Sequence, residues 1–168
     1  MTRTFKKKII LLSFIAISAP TLHAAPPPSV YSTTFSILAY AKWRLDTPKL
    51  CVVDNTSVAQ HFKNYASAHH KYDIHAIQTH AIKQNDCQIL IFSTLSAIEE
   101  QQILIHQVDF PALSISLNNV DCETGSAFCL YKKNQNYAFK VNLESLTQSK
   151  VHIDPRVLLL AKPTEPNS

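Results

Sequence analysis

The sequence predicts one α/β domain: a central mixed sheet of about five or six strands, with helices on both faces and disulfides to stiffen it. Three observations lead there. Short apolar runs rich in β-branched residues alternate with stretches of helical period. A hairpin pattern and short helices follow the last of these alternations. An even set of cysteines, Cys51, Cys87, Cys122 and Cys129, falls in the same part of the chain.

The first helix is expected over residues 30–43. There Val30, Tyr31, Phe35, Leu38 and Ala41 recur near i, i+4, i+7 and make one face apolar. Pro48 follows, and the residue before a proline is pushed out of helical backbone. Leu50-Cys51-Val52-Val53 reads as a buried strand, bounded by Asp54-Asn55. Asn55 or Thr56 can cap a helix over 57–66, which puts Val58, Phe62 and Tyr65 on one face. Residues 72–77 alternate weakly and are expected as a strand, and 88–92 as a second buried one.

Ser93, Thr94 or Ser96 then caps a helix ending near Gln107. Glu99 and Glu100 fall in its first turn, where the helix dipole favours acids, so both read as solvated. Residues 112–117 form the next strand. Residues 128–132 and 137–142, joined by Lys133-Asn134-Gln135-Asn136, read as a hairpin. Asn142 caps a short helix over 143–148. Asp154-Pro155 supplies a cap and a first-turn proline for another over 156–161.

Residues 1–24 read as a cleaved Sec-type export signal. Lys6, Lys7 and Lys8 are followed by an apolar stretch over 9–17, with small residues at Ala24 and Ala25 suiting the cut. The apolar stretch is shorter than the roughly 20 residues a membrane-spanning helix needs. Residues 25–29, with Pro26-Pro27-Pro28, form a stiff spacer, 30–163 the domain and 164–168 a polar tail.

The charge balance narrows the partners. The chain holds 16 Lys+Arg against 12 Asp+Glu, a net +4 at pH 7. Arg3, Lys6, Lys7 and Lys8 lie in the leader, so the rest carries as many bases as its 12 acids. A neutral domain lacks the field that nucleic acids or anionic membranes require. The single glycine, Gly125, excludes the glycine-rich phosphate loops, which need several glycines for close backbone approach.

Four cysteines in an exported domain suggest disulfides, in any of three pairings. Cys122–Cys129 is favoured because the pair flanks a short segment holding Gly125. Cys51–Cys87 is favoured because the pair sits at the edges of two strands that can be sheet neighbours. Buried free thiols are the alternative. The histidines densest in sequence, His69, His70, His75 and His80, lack metal-ligand spacing and read as solvated loop residues. No G-x-S-x-G elbow or C-x-x-C motif occurs, and Ser126, beside Gly125, has no evident base. The residues thus point away from catalysis and from any cofactor or metal. Tyr31, Tyr40 and Trp43 near the first helix, and Tyr131, Tyr137 and Phe139 on the hairpin, are the candidate partner-binding residues, because aromatics bury much area with few rotors. Each is also a candidate core residue.

Several segments together resemble the YfiR family. They are Ile37-Leu38-Ala39-Tyr40-Ala41-Lys42-Trp43, Pro48-Lys49-Leu50-Cys51-Val52, Cys122 with Gly125-Ser126-Ala127-Phe128-Cys129-Leu130, Val141-Asn142-Leu143-Glu144-Ser145-Leu146, and the run from Val151-His152-Ile153-Asp154-Pro155-Arg156 to Lys162. The resemblance covers about residues 30–163. Arg44 departs from it, standing where a proline is common. The resemblance implies a periplasmic, non-enzymatic regulator that binds the periplasmic sensor region of an inner-membrane diguanylate cyclase and holds it inactive, lowering cyclic-di-GMP and biofilm formation. It also implies relief by disulfide reduction or by an outer-membrane protein, and a homodimer is among the expected assemblies. Cys122–Cys129 matches the family's short disulfide and Cys51–Cys87 its longer one. A periplasmic small-ligand-binding module without a cyclase partner is the rival reading.

Overall fold

The computed structural model describes residues 29–67 and 71–161. The expected leader and tail lie outside them, as do His69 and His70. Six strands form one sheet in the order β3-β2-β4-β5-β6-β7. They are β2 (Lys49–Val53), β3 (Asp73–Ile77), β4 (Ile89–Phe92), β5 (Leu113–Ser116), β6 (Phe128–Lys133) and β7 (Asn136–Val141). The first five run parallel and β7 pairs antiparallel with β6. The expected mixed sheet is therefore present. Its order is doubly wound: the chain leaves β2 for β3 on one side, then crosses back to β4 on the other.

Right-handed crossovers that reverse direction must put their helices on opposite faces. They do so here. One face packs Leu50, Val52, Ile89, Ile91, Leu113, Ile115 and Phe128 against helices α1 (Val30–Leu38) and α2 (Thr56–Ala66), through Phe35, Leu38, Ala59 and Phe62. The other packs Val53, Leu90 and Phe92 against α3 (Ile82–Asn85) and α4 (Ala97–Gln107), through Ile82 and Ile103. The strands β2, β4 and β5 are buried along their lengths apart from Lys49 at the start of β2, which explains their unbroken apolar sequence. Among the described residues, no helix is long and apolar enough to cross a membrane.

Caps set the helix starts. Asn55 Oδ1 accepts the Val58 amide at 3.0 Å. Ser96 and Glu99 form a reciprocal capping box on α4, and Asn142 caps α5 (Leu143–Gln148). Ser29, assigned above to the spacer, instead caps α1 through a box with Ser32.

Three expectations are corrected. The first helix stops at Leu38 rather than near residue 43, because residues 41 and 42 find a tertiary partner. Strand β1 (Ala41–Lys42) pairs antiparallel with β8 (His152–Ile153), and the Tyr40 carbonyl accepts the Asp154 amide at 2.9 Å. Near the C-terminus, Asp154 turns the chain by accepting the Arg156 amide at 2.9 Å, and α6 spans Val157–Leu160. The hairpin is also tighter than expected: Lys133 pairs with Asn136, and Asn134 takes the positive φ (57°) at the turn.

Candidate functional site

Both favoured disulfides form. Cys51 of β2 bonds Cys87, 36 residues on and just before β4, and both are buried on the face covered by α3 and α4. Strands β2 and β4 are sheet neighbours, as that pairing assumed, although Cys51 itself stands opposite Leu90. Cys122 bonds Cys129 of β6, closing the loop between β5 and β6 over a separation of 7.

That loop is polar, and its stretches at Asn119, Cys122 and 125–127 are buried, so the backbone groups there need protein partners. Asn119 supplies two: its Oδ1 accepts the Cys122 amide at 3.1 Å and its Nδ2 donates to the Thr124 carbonyl at 2.7 Å. The Gly125 amide donates to Gln101 Oε1 at 2.9 Å, and the Ser145 hydroxyl donates to the Gly125 carbonyl at 2.6 Å. Helices α4 and α5 thus both grip one glycine. Its φ of +91° and the crowding around it explain why a glycine stands there.

At the centre of this seam lies Glu100, fully buried. The expectation that it is solvated is wrong; only its neighbour Glu99 is exposed, where it completes the capping box. Hydrogen bonds from Ser96 lower the Glu99 carboxyl below its ordinary range, whereas burial raises that of Glu100. The sequence carried a signal for this. Glu100 lies three residues before Ile103, on the stripe of α4 that faces the sheet.

The aromatic candidates divide into separate places. Tyr31 packs edge-on against Phe62 at 4.9 Å and beside His61 at 5.9 Å. Its phenol is pushed up by burial and by the nearby Tyr137, so these two candidates share one surface. Tyr131 pairs across the hairpin with Ala138 and turns to the opposite face, where Lys140 Nζ lies 5.8 Å from its ring centroid. Phe139 is only 3% exposed and packs on Phe128 at 5.7 Å, so it belongs to the core and leaves the outward set.

Tyr40 and Trp43 flank the β1–β8 ribbon. The Trp43 indole N–H is buried and makes no hydrogen bond of ordinary geometry; it leans on the Tyr72 hydroxyl, whose phenol burial pushes up. Trp43 also lines a groove of about 440 Å³ with Arg44, Phe110, Pro111, Lys150 and His152. Sequence reading missed this groove because its walls come from four distant segments. Exposed aliphatic residues were missed too, chiefly Leu158, Leu159 and Leu160 of α6. Among the described residues, no three metal-ligating side chains come together.

Fold and site together define a small, disulfide-clamped, doubly wound domain. Its buried polar seam is closed to substrates, and its aromatic and aliphatic residues are divided among several surfaces. A sequence model of the YfiR/HmsC-like family matches residues 30–162, and the chain belongs to that family. The family is a regulatory, non-catalytic one.

Proposed function

We propose that this protein is a periplasmic repressor that binds the periplasmic sensor region of an inner-membrane diguanylate cyclase and holds the enzyme inactive. Cyclic-di-GMP and biofilm formation then fall, and reduction of a disulfide or capture by an outer-membrane protein relieves the block. The observation that carries this reading is the family match across residues 30–162, which spans both disulfides. Action by contact agrees with the closed interior: Ser126 and Glu100, the nearest thing to a nucleophile with a carboxylate base, are both out of reach of solvent. Repression requires tighter binding to the inactive cyclase than to the active one, and about 1.4 kcal/mol of difference shifts the balance tenfold. The candidate contact residues are Tyr31 with Tyr137 on one face, Tyr131 on the other, Tyr40 and Trp43 beside the β1–β8 ribbon, and the exposed leucines of α6.

Deleting the gene tests the reading. Cellular cyclic-di-GMP should rise, and crosslinking in a non-reducing lysate should recover the cyclase. An unchanged cyclic-di-GMP level rejects repression. The groove beside Trp43 favours a second reading, a binding module for a small ligand, since Lys42, Arg44 and Lys150 outnumber Asp86 around apolar walls, which suits an anionic apolar molecule. Ligand-dependent thermal stabilisation without a cyclase partner would support it.

A further inference from the structure

Glu100 places an acidic group in a space where, among the described residues, no cation pairs with it. Ser116 Oγ lies 2.6 Å from Oε1, and the Ser126 amide and hydroxyl donate to Oε2 at 3.2 and 2.8 Å. A buried carboxylate without a counter-charge is costly and tends to keep its proton. The neighbours are arranged to take that proton. Ser116 Oγ accepts the Asn119 amide at 3.1 Å and has an acceptor of its own in Asn118 Oδ1, also at 3.1 Å. When Oε1 is protonated, its O–H donates to Ser116 Oγ and the serine O–H turns to Asn118. Oε2 keeps both donors from Ser126, and every hydrogen in the chain has an acceptor. When the carboxyl is ionised, the serine hydroxyl turns back to Oε1 and Asn118 loses it. Asn118 in turn holds the Leu95 carbonyl through Nδ2 at 3.0 Å, so the change reaches the entry to α4.

Among the described residues no basic side chain pairs with Glu100, and only the first turn of α4 favours its charge. On α4, Glu99 is exposed and Gln101 is neutral; β5 contributes Ser114 and Ser116. Asp121 and Glu123 of the loop and Glu144 of α5 are all exposed, and Cys129 of β6 is bonded. The rise in the Glu100 carboxyl comes from burial, opposed in part by Ser116 and Ser126.

We propose that Glu100 is a proton-held clasp: neutral, it seats the 117–127 loop among α4, β5 and α5, and losing its proton frees the loop around the Cys122–Cys129 disulfide. The proposal is independent of the identity of any partner. A carboxyl that binds its proton more tightly with the loop seated favours seating at low pH. Seating weakens as pH rises from the ordinary glutamic acid range to the seated-state value, and levels off above it.

The test uses the full chain with both disulfides intact, from about pH 4 to about pH 8. Carbon-13 NMR follows the Glu100 carboxyl while hydrogen exchange follows the Ser126 amide. The Glu100 midpoint should lie above the ordinary glutamic acid range. Ser126 protection should fall roughly tenfold per pH unit within the window that opens there. In Glu100→Gln the protection should not change with pH. A wild-type midpoint at or below the ordinary range, or Ser126 protection indifferent to the Glu100 titration, overturns the proposal. If Glu100→Gln does not fold, the two wild-type measurements decide alone.

Discussion

The carboxylate of Glu100 stands in the space that a side chain on residue 125 would need. A Cβ built on Gly125 falls 2.8 Å from Glu100 Oε2 and 2.9 Å from the Ala97 carbonyl oxygen. The glycine and the buried acid therefore require each other, and the required φ of +91° adds to the constraint. Gly125→Ala should destabilise the protein by about 2 kcal/mol or more, since the backbone conformation and the contact both oppose the methyl group. Urea denaturation monitored by circular dichroism checks this; an unchanged midpoint would mean that the seam yields easily.

The two disulfides should differ in worth. On the chain-entropy account, the bond spanning 36 residues restrains the unfolded chain more than the one spanning 7. Replacing Cys51 and Cys87 by alanine should cost about 4 kcal/mol, and replacing Cys122 and Cys129 about 2.5 kcal/mol. Denaturant titrations of the two double variants measure the order, and a reversed order would show that the loop seam depends on its sulfur bridge for more than chain entropy.

Buried and exposed apolar residues should separate in their effect on stability. Phe139→Ala opens a cavity against Phe128 and should cost about 3–5 kcal/mol. Leu159, 63% exposed, should tolerate Leu159→Ser within about 0.5 kcal/mol. If α6 touches the cyclase, the same substitution lowers crosslinking to the sensor region, whereas equal recovery of the cyclase from both proteins removes α6 from the contact surface.

The ion pair after β8 fixes a local titration. Arg156 donates from Nε and Nη2 to both oxygens of Asp154, at 3.0 Å and 2.6 Å, and holds its carboxyl at about 2. A depressed carboxyl contributes stability above the ordinary aspartate value, and that contribution fades as pH falls through about 2. Arg156→Gln should return the Asp154 midpoint toward 3.8 in an NMR titration. A midpoint that stays low would assign the shift to the backbone instead.

The sheet was legible because β2, β4 and β5 are buried on both faces and leave unbroken apolar runs. The disulfides were legible because cysteine spacing and strand edges constrain each other. Other features were not, each for a physical reason. Residues 41 and 42 continue a helical apolar period, and only a partner more than a hundred positions away turns them into a strand. Glu100 reads as a solvated acid from its residue type and first-turn position, and only its place on the Ile103 stripe of α4 points to its burial. The aromatic candidates were chosen by residue type, but pleat parity sorts them by face and position along the strand by depth: Phe139 and Tyr137 share one face, where only Phe139 is buried, and Tyr131 turns to the other.

The β1–β8 ribbon has one more effect, on when the protein can mature. Ala41 meets Ile153, and Val157 just beyond fills a gap in the same core as Phe35 and Phe62. A chain still being made lacks the piece that shuts its first segment in. Completion is thus coupled to full delivery of the polypeptide, and a product cut short before residue 152 would be left open to quality-control proteases.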